Sequence, residues 1–232
     1  MTRIPGGGVS RSPFGPSWST GRATRGDGKS VGAQVQRRLF GQRKPPVIES
    51  DDPAVRTLLA RLHVYRKKLA RIAGDLDEDY DLTLATGTIA MIDEDGLIYV
   101  GREFLLAHER ELDLQVGVLA HEVGHRPKRW QAYRDQQPLG RAELDKLCRV
   151  EETRADYFAG RALAELGLQV EPLIAFLEAI SVHPHPQYFS AAIRGDAIRE
   201  GYEDGKRQSN NRRRFFPELA RMTDARRDLG EG

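Results

Sequence analysis

The sequence holds one cysteine, Cys148, among 232 residues. A lone thiol excludes an intramolecular disulfide, so the chain is no disulfide-stapled scaffold, and it fits a reducing compartment. Long apolar runs are missing too. None approaches the roughly 18 residues that a membrane-spanning helix needs. The N-terminal arginines are followed by no apolar stretch of the kind a secretory signal carries. The expectation is a soluble, cytoplasmic protein without a transmembrane segment. Overall charge bias is also slight: 36 Lys and Arg against 34 Asp and Glu leave a formal +2, so the chain as a whole is no polycation. No internal repeat is visible.

Charge is nevertheless unevenly placed. Residues 1–48 carry nine Lys and Arg against Asp27 alone, or +8, and residues 205–232 carry +4, which leaves −10 for residues 49–204. An acidic body sits between two basic ends. Residues 1–46 are rich in Gly, Pro, Ser and Arg and read as disordered. The expected organisation is therefore a basic N-terminal segment (1–48), one folded domain (49–204) and a basic polar tail (205–232). At 39% hydrophobic residues the chain can build one real core. Phe14 and Trp18 lie among the N-terminal arginines, which suits an anionic partner such as nucleic acid or a membrane surface.

Within the domain, Val55, Leu58, Leu59, Leu62, Leu69 and Ile72 recur at helical spacing. They predict a helix that opens at Pro53 behind a cap at Asp51 or Asp52 and stops at Gly74. Strand character follows at 82–86, 88–92 and 97–100, and "DEDG" (93–96) predicts a hairpin turn. Further helices are expected over 112–126, 141–166, 172–181 and 190–202, with polar stretches at 127–140 and at "HPHP" (183–186). The fold class is α+β: mostly helical, with a small sheet or hairpin before the 112–126 helix.

That helix contains "AHEVGH" (120–125). Residues four apart share a helical face, so His121 and His125 can both reach one zinc ion at about 2.0–2.1 Å. Glu122 is rotated by about 100° from His121, where a carboxylate reaches water beside the ion rather than the ion itself. A catalytic zinc needs a third protein ligand. "RVEETRADYFAGRALAEL" (149–166) offers Glu152, with Asp156 on the same face to hydrogen-bond a ligating imidazole. Glu151 is the rival ligand. Glu152 is preferred because it shares a face with Asp156, and because Ala155 and Ala159 keep that neighbourhood small. His63 and His108 read as surface residues and Cys148 as a small packing residue.

"LAHEVGH" followed by "EETRADYFAGRAL" resembles the HtpX and CAAX-prenyl-protease family of zinc peptidases, gluzincins with a HExxH…ExxxD pattern. The resemblance covers about residues 50–200 and implies a zincin-like domain holding one Zn2+. It implies His121, His125 and Glu152 as ligands, Glu122 as the base and Asp156 as a support for a histidine. The family's His-Pro element has a counterpart at 183–186, so His183, His185 or Arg194 is expected to stabilise the oxyanion. Unlike many members, this chain has no membrane-embedded segment in its sequence. The ImmA/IrrE type of regulatory metallopeptidase, with a similar E-x-x-A-D-x-F-A signature, is the runner-up. The implied activity is a zinc-dependent endopeptidase that cuts peptide or protein substrates with water activated by zinc and Glu122. The substrate would lie extended along an edge strand near 88–91. A different class of reading is a basic-tailed protein that binds nucleic acid or a membrane surface.

Overall fold

The computed structural model describes residues 31–40, 43–126, 139–181 and 186–215. Helix α1 (Val31–Phe40) precedes the long α2 (Pro53–Ala73). Asp52 caps α2 by accepting from the Ala54 amide, and Gly74 ends it in the left-handed conformation at φ 75°. A single 3-10 turn (Asp77–Asp79) leads into β1 (Asp81–Ala85), β2 (Ala90–Ile92) and β3 (Leu97–Gly101). Then come α3 (Arg102–Ala107), α4 (Leu112–Gly124), α5 (Arg141–Leu166), α6 (Glu171–Ile180) and α7 (Ala191–Phe215). The architecture is α+β, mostly helical with one small sheet. Among the described residues, no helix is long and apolar enough to cross a membrane.

The strands order as β1-β3-β2, with β1 parallel and β2 antiparallel to β3. Leu82, Leu84, Ile92, Ile98 and Val100 face the main core, and Ala85, Met91 and Tyr99 form a second buried cluster on the other face. Val47 bridges Ala85 at the outer side of β1, which leaves β2 as the edge strand. The hairpin turn expected at 93–96 is present. Asp93 Oδ1 accepts from the Asp95 and Leu97 amides, and Gly96 adopts φ 87°. Tyr99 donates its hydroxyl to Asp93 Oδ2 at 3.1 Å, and Lys44 Nζ donates to the same oxygen at 2.6 Å.

Two helices extend beyond what the sequence led us to expect. Residues 31–40, placed in a disordered segment, form α1. Its Val31, Val35 and Leu39 are buried against Leu144, Leu147 and Cys148 of α5. An i, i+4, i+8 stripe only one residue wide does not register as sustained periodicity, yet it suffices once a partner helix supplies the other wall. Likewise α7 runs to Phe215 and takes in the first part of the expected tail. Local pairs such as Glu203–Lys206 and Asp204–Arg207 support its polar face, and Tyr157 on α5 donates to Asp204. The backbones of α5 and α7 touch closely at Gly160 and Gly201. A Cβ on Gly160 would collide with the Ile198 carbonyl, and one on Gly201 with the Tyr157 carbonyl.

Removing residues 1–40 is therefore expected to lower the melting temperature, contrary to the free-tail expectation. Leu39→Ala in the full chain should cost about 2–5 kcal/mol by denaturant unfolding, as buried leucine truncations do. An unchanged midpoint would show α1 to be undocked in solution.

Asp93 gives a pH test. Burial alone would raise its carboxyl, but the hydrogen bonds from Lys44, Leu97 and Asp95 outweigh burial and hold it below its ordinary value. Lys44 is held above its own by the hydrogen bond to Asp93. A depressed carboxylate stabilises the fold above its unfolded pKa, and that contribution is lost as pH falls through the folded value. A raised lysine contributes below its unfolded pKa and loses this in strong alkali. Lys44 is about half exposed, so the amides and Tyr99 carry most of the effect. Asp93→Asn should cost about 1–3 kcal/mol at pH 7, and its deficit against wild type should shrink below pH ~4.

Candidate metal centre

Helix α4 reads LDLQVGVLAHEVG, mostly apolar, and Leu114 to Ala120 and Glu122 to Gly124 are all buried. It crosses α5 at Gly124, where a Cβ would stand 2.8 Å from the Ala155 Cα. The missing side chain lets the two backbones close in. The last turn of α4 therefore faces Glu152 and Asp156 on α5. The chain leaves at Arg126, whose positive φ of 46° breaks the helix while its guanidinium grips Asp75 at 2.9 and 2.5 Å.

His121 Nε2 lies 3.4 Å from Glu152 Oε2, and His125 Nε2 lies 3.6 Å from Glu152 Oε1. One ligand atom from each of the three residues falls within 4.8 Å of the others. The pair distances are long for hydrogen bonds. They match the roughly 3.4 Å edge of a tetrahedron whose donors stand about 2.0–2.1 Å from a central ion. The imidazoles meet edge to face, with centroids 4.8 Å apart at 88°. His121 Nδ1 sits 2.9 Å from Asp156 Oδ1. That contact fixes the tautomer which leaves Nε2 facing the other donors.

The electrostatics also call for a cation. Glu122, Glu152 and Asp156 are buried carboxylates, and Arg194 is the buried guanidinium among them. Two negative charges remain uncompensated, which suits a divalent ion. Without one, a proton takes its place. Burial alone would lower the His121 imidazole, but Asp156 and Glu152 outweigh it and raise it to about 10. Burial raises Glu122 to about 7, with the His121 charge and the Ile92 amide of β2 opposing. Glu122 Oε2 is buried with no hydrogen-bond partner among the described residues. The site thus passes a chemical test for metal: a donor set at ligand spacing, a charge deficit, and a spare carboxylate oxygen beside it.

Glu151, the rival ligand, is fully buried and pairs with Arg154 at 2.6 Å, away from the three donors. Arg194 was expected as an oxyanion group, but it is differently engaged. Its Nε and NH2 donate to Asp156 at 2.7 and 2.9 Å, and its NH2 lies 3.6 Å from Glu152. A guanidinium fixed by two bonds to Asp156 holds that carboxylate on His121. His183 and His185 lie outside the described residues. Sequence reasoning missed Tyr188, whose ring lies 5.2 Å from the Arg194 guanidinium carbon. Burial and the charge of Glu152 raise its phenol well above the ordinary value. It stands in a non-periodic "PQYF" stretch, so no spacing rule marks it.

Compared with family models, with curated proteins and with solved structures, the chain has no match in any of the three.

Arg194→Ala leaves buried Asp156 with His121 as its remaining partner. It should weaken zinc affinity by about 10–100-fold in chelator competition, as loss of groups behind a ligand does. If the variant kept full affinity and lost only turnover, Arg194 would be an oxyanion group after all.

Proposed function

We propose that this chain is a zinc-dependent endopeptidase, of the kind its sequence resembles, acting on peptide or protein substrates in the cytoplasm. The observation that carries the reading is Glu122. It is a base-competent carboxylate, buried with one oxygen unpartnered, directly beside three donors at metal-ligand spacing. Histidine pairs that merely decorate a helix do not come with such a neighbour.

His121, His125 and Glu152 would hold the ion, and zinc bound there supplies an acidified water and a Lewis acid for the scissile carbonyl. Glu122 takes the proton of the attacking water and returns it to the leaving amine. Burial raises its carboxyl above the ordinary value, with the charge of His121 opposing. Asp156, braced by Arg194, keeps the His121 ring oriented. The edge strand β2 supports an extended substrate. The Gly101 amide donates to Ile89 and the Asp93 amide to Leu97, so by alternation the amide and carbonyl of Ala90 point away from β3, the carbonyl 3.4 Å from the Thr88 hydroxyl. A peptide adding there forms main-chain hydrogen bonds with little regard for its sequence.

Glu122→Gln keeps the side-chain volume but cannot accept a proton. The zinc content of the purified variant should stay near one per chain while cleavage of a quenched-fluorescence peptide library falls by roughly 10²–10⁴-fold. Normal cleavage by this variant would end the peptidase reading.

A further inference from the structure

A hydrolytic site of this kind needs a donor for the negative charge that grows on the scissile carbonyl oxygen. Arg194 is committed to Asp156 through two bonds. The connection from α6 to α7 supplies another candidate. Its Tyr188 is only partly buried, while the residues around it, Glu122, Glu152, Asp156 and Arg194, are buried. The ring lies 5.2 Å from the Arg194 guanidinium carbon, whose NH2 is 3.6 Å from Glu152, so the ring borders the guanidinium that lies against the donor cluster. Burial, first, and the charges of Glu152 and Glu122 hold the Tyr188 phenol above the ordinary value.

The flanks of this tyrosine are pinned to the helix that carries the donor. Gln187, 3% exposed, donates to Asp145 Oδ1 at 3.0 Å. The same oxygen receives Arg38 of α1 at 2.7 Å. Arg149 donates to the Pro186 carbonyl and lies 5.7 Å from the Phe189 ring. Asp145, Arg149, Glu152 and Asp156 are spaced i, i+4, i+7 and i+11, one stripe of α5. A single helical face therefore holds a donor, the brace for His121, and both anchors of the segment bearing Tyr188.

We propose that Tyr188 donates its hydroxyl hydrogen bond to the oxyanion that develops during peptide hydrolysis, and that Gln187, through Asp145, positions it. This rests on the zinc-peptidase reading above. No proton is transferred: the O–H bond stays intact, and the hydrogen bond strengthens as the carbonyl oxygen becomes negative. A phenol held above its ordinary value stays neutral and suits this, since it puts no permanent charge beside the two carboxylates.

The test uses the full-length, zinc-loaded protein. Tyr188→Phe keeps the ring on Arg194 and removes only the hydroxyl. The expected result is an unchanged zinc content and KM, with kcat on the quenched-fluorescence library lowered about 10²–10³-fold, as for loss of one oxyanion donor. Affinity for a phosphinic peptide, which carries the tetrahedral anionic centre, should fall in step by calorimetry. Gln187→Ala should lower kcat by less and leave zinc in place. Wild-type kcat in Tyr188→Phe would overturn the proposal, and so would loss of zinc by that variant, which would make the tyrosine a structural prop. If wild type is active and Glu122→Gln dead while Tyr188→Phe is normal, only this proposal fails. If wild type neither cleaves the library nor binds the phosphinic peptide, the peptidase reading falls and takes this with it.

Discussion

The close crossing of α4 over α5 is the constraint on which the rest depends. Two helices carry the site residues, and side chains of His and Glu length can share one point only if the axes approach tightly there. Gly124 against the backbone of Ala155 makes that approach possible. Everything near the crossing serves it. The apolar faces of α4 bury it centrally, α7 packs closely on α5, and Arg126 ends the helix immediately after the second histidine. Helix packing therefore sets where these histidines and carboxylates meet.

Burying acids in such a place has a cost. Isolated carboxylates in a low-dielectric core neutralise themselves by shifting their pKa, and Glu122 does so in part. Glu152 and Asp156 instead stay below their ordinary values. Burial works against them, but His121, His125 and Arg194 hold Glu152 down, and Arg194 and His121 hold Asp156 down. The core is thus split into an acid that can give up a proton near neutrality and two that remain charged. Such separation of like groups by environment is how one pocket performs distinct roles.

Much of this was legible from the amino-acid order. The bounds of α2 followed from Asp52, Pro53 and Gly74, and those of α5 from its length of unbroken helix formers and Gly167. His121, His125, Glu152 and Asp156 could be grouped because each pair is local, at i, i+4. What escaped was everything set by contact between distant segments. The engagement of Arg194 with Asp156 spans 38 residues, and nothing local to "AAIRGD" reports it. Tyr188 is placed by anchors on another helix. The parallel pairing of β1 with β3 inserts the last strand between the first two, an order that the hairpin signal alone does not give. In α1 the apolar stripe was too narrow to stand out from a basic, glycine-rich context.

That first helix has a consequence for how the protein is made. Its apolar residues leave the ribosome early, but their seat, Leu144 to Cys148, follows more than a hundred residues later, as the 107-residue separation of Arg38 from Asp145 measures. Ten residues with a narrow stripe do not hold a helix alone in water. At about 5–20 residues per second, Val31, Val35 and Leu39 wait several seconds or more before a partner exists. Among the described helices, the first made must thus wait for α5 before it can dock. Its docking sets Arg38 on Asp145, the carboxylate that also receives Gln187 from the later 186–190 segment.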